Sequence, residues 1–439
     1  MKIAVIGAKG LPAKQGGIEH YCQELYSGMV AQGHSVDLFA RASYNDKSWF
    51  SSYYYQGVRV ICLPSLPLKG LDAFTSAAIG AIATSFRNYD IIHFHALGPA
   101  IFCWLPQLAT TAEVCVTCHG LDWQRRKWGK FSSRLIRLGE KTAVNHANQL
   151  VVVSEYLHSY FWNTYGIDTR YIPTAPARYA DCEPQFPYLD FLGTKPGCYL
   201  LFLGRLVPEK RPDLLIEAFQ KLQPQGWKLL LAGAHSDTTE FSVRLQELAA
   251  DNPNIIFTGE LQGSNLAEVM RGAGLFILPS DLEGLPLVML EAMREGIPVL
   301  ASDIPAHRQL LGKDRGLLFE QGKVNSLLKI LEQALERPIE LAMVAQRARK
   351  YVQAHYTWDK VTYENLKLYA QLRHKTIGFG EHNQRLEDCF QEIAALLYDK
   401  IASPQKDCLD QALRQQILEQ FNQQLDLVLA HGRKEIGRG

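Results

Sequence analysis

The strongest chemical signals in the chain are two basic residues on one turn and two acids a short distance apart. Gly204-Arg205-Leu206-Val207-Pro208-Glu209-Lys210 follows an apolar run, so it reads as a strand-to-helix turn carrying two positive charges. An Arg grips phosphate oxygens bidentately, while a Lys acts as a movable point charge. Glu283 and Glu291 stand eight positions apart in Glu-Gly-Leu-Pro-Leu-Val-Met-Leu-Glu. Pro286 suits the first turn of a helix, which puts Glu283 just before the helix and Glu291 inside it. The amides of Gly284 and Leu285 then make an anion site by geometry and dipole. Glu291 is placed to accept hydrogen bonds from a ribose diol, and Glu283 from sugar hydroxyls. The apolar residues 287–290 between them argue against two acids that simply face solvent. Gly259-Glu260-Leu261 is a weaker signal for backbone contact to a base. Gly7, Gly10, Gly16 and Gly17 join the first strand to the first helix and permit close backbone approach. They do not form the G-x-G-x-x-G fingerprint of dinucleotide enzymes. Together these residues fit the handling of a nucleoside diphosphate.

Short apolar runs alternating with helical periods must position them. Strands are expected at 2–7, 35–40, 58–63, 90–95, 113–118 and 149–153, with amphipathic stretches at 17–32 and 130–146. The rhythm restarts at Cys198, with strands at 199–204, 227–233, 254–259, 275–279, 298–302 and 316–319. Strands apolar on both faces that alternate with helices imply parallel sheets covered on both sides. Residues 172–197 hold five prolines and little periodicity, the composition of an interdomain linker. The expected architecture is α/β: two doubly wound domains, 1–178 and 195–356, with a helix at about 357–375 returning to complete the first. Such a pair faces a central cleft at the carboxyl ends of its strands. After Gly378-Phe379-Gly380, apolar residues recur at helical spacing, so 378–439 reads as a helical hairpin that docks on the body or on another copy.

The 439 residues include 46 Lys+Arg and 45 Asp+Glu, with 47% hydrophobic and 21% charged residues. That balance excludes a disordered chain and argues against nucleic-acid binding by bulk charge. No run reaches the ~18–20 apolar residues of a membrane span. Met1 leads straight into KIAVIG without the pattern of a signal peptide, so a cytoplasmic chain is expected. The nine cysteines form no disulfide framework. Cys115-Val-Thr-Cys118-His119 has a haem-attachment spacing but reads better as the end of a buried strand. His93 and His95 alternate on a strand and read as packing groups at the cleft edge. Residues 122–141 carry seven basic residues and two acids, with Trp123, Trp128 and Phe131 interleaved. This segment is either a surface for anionic lipid headgroups or a solvated basic helix face.

GRLVPEK, EGLPLVMLE, GGIEHYCQELYSGMVAQGHSVDLFAR and HYTWDKV together resemble a GT-B glycosyltransferase of the retaining family-4 class, over residues 1–375. LPAKQGGIE and HGLDWQRRKW are similar to the branch that adds rhamnose or hexoses to bacterial surface polysaccharides. The resemblance implies that Arg205 and Lys210 bind the donor diphosphate and stabilise its departure. It further implies that Glu291 holds the ribose, Glu283 the transferred sugar, and the Gly284 and Leu285 amides the sugar and phosphate. Gly16 and Gly17 would border the diphosphate, and His119 would sit at the reaction centre. Arg125, Arg126, Lys127 and Trp128 would face the acceptor or the membrane. The family's Asn-Gly after Ile-Pro is Thr174-Ala175 here.

The expected activity is transfer from a UDP-, GDP- or dTDP-linked sugar to a lipid-linked saccharide at the inner face of the membrane. No Asp-x-Asp occurs, so no metal and no further cofactor is expected. A sugar-nucleotide epimerase and a non-catalytic nucleotide-sugar-binding subunit remain as alternatives.

Overall fold

The computed structural model describes residues 1–14, 16–65, 71–124, 130–233, 239–250 and 252–373. The 378–439 hairpin expected from sequence lies outside them. By its contacts the chain divides into two compact units. One holds Met1–Thr117, Arg134–Val151 and Leu366–Arg373; the other holds Cys118–Ser133 and Val152–Asn365, each so far as its residues are described.

The first sheet contains β1 (Lys2–Ile6), β2 (Ser35–Arg41), β3 (Ser52–Tyr55), β4 (Val58–Leu63), β5 (Ile91–His95), β6 (Glu113–Cys118), β7 (Gln149–Val152) and β8 (Arg170–Tyr171). Their order is β3-β4-β2-β1-β5-β6-β7-β8. β1 pairs in parallel with β2 and β5, so the chain winds both ways from β1. The residues of β1 after Lys2 are all buried, as a strand covered on both faces requires. β3 departs from the expectation. It pairs antiparallel with β4 through a turn in which Gln56 (φ 45°) and Gly57 (φ 80°) are both left-handed, the backbone of a tight hairpin. An edge strand with alternating exposure lacks the continuous apolar run by which parallel strands announce themselves.

The second sheet contains β9 (Tyr199–Leu203), β10 (Lys228–Ala232), β11 (Ile255–Gly259), β12 (Leu275–Leu278), β13 (Val299–Ser302) and β14 (Leu317–Phe319). Their order is β11-β10-β9-β12-β13-β14, with every pairing parallel. The strand order reverses between β9 and β12, which is where ligands bind in open α/β sheets. Leu200, Leu201, Phe202, Leu230, Phe276 and Ile277 are fully buried at its centre. Both units are therefore doubly wound and Rossmann-like, as expected.

The helix Trp358–Arg373 brings its last residues, 366–373, into the first unit. There the Tyr369 hydroxyl lies 2.5 Å from His93 Nδ1, and the Tyr26 hydroxyl lies 2.6 Å from His95 Nε2 and 3.1 Å from His93 Nδ1. His93 Nε2 meets the Thr117 hydroxyl at 2.7 Å. Both imidazoles are fully buried and stacked, with ring centroids 4.4 Å apart. His93 and His95 thus serve as hydrogen-bonded packing groups. Cys115 and Cys118 are free thiols buried in β6, as the strand reading requires.

Gly139, in the middle of the helix Lys130–His146, provides a test of the first unit's packing. A Cβ there would lie 1.9 Å from the Leu97 carbonyl oxygen. Helix propensity alone favours Gly139→Ala by about 1 kcal/mol. The clash with backbone reverses the sign, and we expect a net loss of about 1–3 kcal/mol, read as a lower urea midpoint with an unchanged slope.

Candidate active site

Two loops that leave adjacent strands at the reversal point of the second sheet build the site. The loop after β9 runs through Gly204 and Arg205 into a short 3-10 turn, Pro208–Lys210, and then into the helix Pro212–Leu222. The loop after β12 runs from Pro279 to Pro286 and enters the helix Leu287–Glu295. Pro286 caps that helix (φ −76°, ψ 92°) instead of lying in its first turn. Glu283 therefore stands one residue further outside the helix than its spacing suggested, and Glu291 remains inside it.

Hydrogen bonds and ion pairs stitch the two loops together. The Asp281 amide donates to the Glu209 carbonyl at 2.8 Å, and Arg211 Nη1 lies 3.5 Å from Asp281 Oδ2. Lys210 Nζ donates to Glu283 Oε1, with side-chain exposures of 16% and 10%. Ser280 Oγ donates to the same carboxylate oxygen at 2.8 Å. Burial by itself would raise the Glu283 carboxyl, but the Lys210 ammonium and the Ser280 hydroxyl outweigh it and hold the group below its ordinary value. Lys210 and Glu283, which the sequence assigned to different parts of a ligand, are ion-paired with each other. Arg205 is half-buried on the same loop as Lys210.

Behind Glu283 lies a chain of polar groups that sequence reading missed. Ser302 Oγ donates to the Ser280 carbonyl at 2.5 Å, and His307 Nδ1 lies 2.7 Å from the Ser302 carbonyl. His307 is fully buried. Burial lowers its imidazole to about 4, so the ring is neutral at physiological pH. Pro305 at the first position of the helix Pro305–Leu311, two residues before His307, was the available signal.

His119 and Gly120 approach the same loop through their backbone. A Cβ on Gly284 would lie 2.5 Å from the His119 carbonyl oxygen and 3.3 Å from Gly120 Cα. Only glycine allows that approach. Burial lowers the His119 imidazole to about 3, which keeps it neutral. Leu285 follows Gly284 directly and packs against the second unit's core.

Glu291 is 9% exposed and accepts a 2.6 Å hydrogen bond at Oε2 from the Tyr179 hydroxyl. Tyr179 comes from the proline-rich linker, and the 112 residues between the partners explain why no local pattern announced it. Thr174 and Ala175 are buried.

In the first unit, Gly16 (φ 98°) precedes the helix Gly17–Ala31 in the loop after β1. Glu19 on that helix accepts the Lys9 amide at 3.2 Å, which closes the loop onto the helix. Arg125, Arg126, Lys127 and Trp128 lie outside the described residues. On the helix Lys130–His146, Arg134, Arg137 and Lys141 are exposed, together with Leu138 at 48%.

The neutral His307 predicts an acid limb in stability. Its folded value of about 4 lies below the ordinary 6.5, so the unfolded chain binds the proton first. The resulting stabilisation is complete above pH 6.5 and is lost as pH falls toward 4; it amounts to at most about 3 kcal/mol. We expect His307→Asn to flatten that limb in urea titrations at stepped pH.

Known proteins resemble the chain along both units. The Glycosyltransferase Family 4 model matches residues 15–175, and the Glycosyl transferases group 1 model matches residues 194–351. The first range contains Gly16, Gly17 and His119; the second contains Arg205, Lys210, Glu283 and Glu291. A D-inositol 3-phosphate glycosyltransferase from Gordonia bronchialis is 27% identical over 90% of this chain and 92% of its own. A GDP-mannose-dependent monoacylated alpha-(1-6)-phosphatidylinositol monomannoside mannosyltransferase from Corynebacterium glutamicum is 25% identical over 79% of this chain and 92% of its own. In fold, the chain is similar to sucrose-phosphate synthase from Thermosynechococcus elongatus, with a TM-score of 0.73 at 23% identity, over 84% of this chain and 98% of that one. With both family models matched and both doubly wound units present, the chain belongs to the GT-B glycosyltransferases, enzymes that take their sugar from a nucleotide-sugar donor.

Proposed function

We propose that the chain moves a hexosyl or rhamnosyl group from a UDP-, GDP- or dTDP-linked donor to a lipid-linked saccharide, as a step in building a surface polysaccharide. The observation that carries this reading is the meeting of Lys210 and Glu283 where the loops after β9 and β12 join, with Glu291 further along the adjoining helix. An anionic diphosphate offers Lys210 a second partner, and the sugar hydroxyls offer Glu283 donors of the kind that Ser280 already supplies.

In the reaction the bond from the anomeric carbon to the phosphate oxygen breaks, and a bond from that carbon to an acceptor oxygen forms as the acceptor hydroxyl passes its proton to the departing phosphate. Positive charge develops on the sugar and negative charge on the departing diphosphate. Arg205 and Lys210, with the amides of Gly284 and Leu285, are the groups assigned to that negative charge, each pre-placed donor worth ~3–4 kcal/mol at the transition state. In this reading the two cations do the work that a divalent metal does elsewhere, and the sugar keeps its anomeric configuration. The neutral His119, held against Gly284, is assigned to the reacting sugar or the acceptor.

The lipid-linked acceptor is supported by the Corynebacterium relative, whose name specifies a phosphatidylinositol mannoside. It is supported also by the exposed Arg134, Arg137 and Lys141 beside the exposed Leu138, a pattern suited to anionic headgroups. No described helix is long and apolar enough to cross a membrane, so contact in this reading is peripheral.

The test is release of nucleoside diphosphate from donor sugars, with and without a bacterial lipid extract. Release should require the extract, persist in EDTA, and fall by roughly 100-fold or more in Lys210→Ala and Glu291→Ala. Equal release without acceptor would remove the transferase reading to lipid, and turnover to an isomeric nucleotide sugar would mark an epimerase. A thermal-shift panel of UDP-, GDP- and dTDP-sugars should show stabilisation by one base over the others.

A further inference from the structure

Glu291 does not stand by itself on its helix. Its Oε2 receives the Tyr179 hydroxyl at 2.6 Å, and Tyr179 is partly buried and packed against the second unit's core. The Arg294 guanidinium carbon lies 5.9 Å from the centre of its ring, and Arg294 is fixed in turn by Glu295 at 2.7 Å. Arg271 joins Glu295 at 2.9 Å to the Ala180 carbonyl, also at 2.9 Å. The Trp358 indole donates to the Pro176 carbonyl at 3.2 Å. The linker is thus tied down on both sides of Tyr179, and the phenol projects onto the carboxylate from a fixed backbone.

We propose that Tyr179 is a positioning residue that fixes the Glu291 carboxylate in the orientation needed to receive the ribose hydroxyls of the donor; the role rests on the assignment of Glu291 to the ribose. A carboxylate that accepts from two neighbouring hydroxyls must turn its plane toward them, and a glutamate side chain left to itself samples several rotamers. A hydrogen bond from a rigidly held phenol selects one of them before the ligand arrives, which removes an ordering cost from binding. Burial and the Glu291 charge push the Tyr179 phenol well above its ordinary value, so it stays a donor throughout the physiological range. The carboxylate is nearly buried, and a hydrogen bond to a charged group in such a place is among the stronger ones.

The experiment is calorimetric titration of UDP, GDP and dTDP, each against its 2′,3′-dideoxy form, into the full chain, Tyr179→Phe and Glu291→Ala. The wild-type chain should prefer at least one hydroxylated nucleotide to its dideoxy form. Tyr179→Phe should weaken the hydroxylated form by about tenfold and leave the dideoxy form unchanged, with donor KM raised by the same factor and kcat kept. An equal loss for both forms, or no loss for either, makes Tyr179 a packing residue and overturns the proposal; the ribose assignment then stands if Glu291→Ala abolishes the preference. A wild-type chain without the preference, or a Glu291→Ala chain that retains it, overturns the ribose assignment and this proposal with it.

Discussion

An ammonium and a carboxylate that have both left most of their water behind meet at the reversal point of the second sheet. Lys210 and Glu283 are each largely buried, and each would cost several kcal/mol to hold there without the other. Their pairing is therefore a constraint as much as an attraction, because neither loop can move away without stranding a charge. The backbone hydrogen bond from the Asp281 amide to the Glu209 carbonyl joins the same two loops and shares that constraint. Arg205 hangs from one of these loops and the Gly284–Leu285 segment from the other. Beneath them, Ser280, Ser302 and His307 fill the polar interior, so the carboxylate rests on hydrogen-bonded groups.

The sheet order makes that meeting possible. β9 and β12 are neighbours in space although β10 and β11 intervene in sequence. The connections leave this strand pair in opposite directions, so the loops after both strands are left in place to converge. The first sheet repeats the device at β1 and β5, where the Gly16–Gly17 loop departs. Relatives at about a quarter identity match along nearly the whole of this arrangement.

The strands of the two sheets were legible because parallel strands buried on both faces must be apolar throughout, and 12 of the 14 were read from that signal alone. β3 and β8 were not, since an antiparallel edge and a two-residue strand carry no such run. The charged residues were legible by type and spacing, but their partners were not. Nothing local indicates that Lys210 binds Glu283, 73 residues away, or that a linker tyrosine reaches Glu291 across 112. The Pro286 cap shows the same limit on a smaller scale, because proline serves either side of a helix start and only the backbone angles distinguish them.

The hydrogen bond between Tyr369 and His93 joins residues 276 positions apart, across the entire sequence of the second unit. During synthesis, β5 and its two imidazoles leave the ribosome long before their last partner exists. The second unit's strands all emerge in that interval, so the second unit can close while the first still has an open polar seam in its core. Domain order along the chain is thus the reverse of the order in which the two folds can be completed. A ribosome that stopped short of Tyr369 would release a nascent chain with a finished second unit and an unfinished first one.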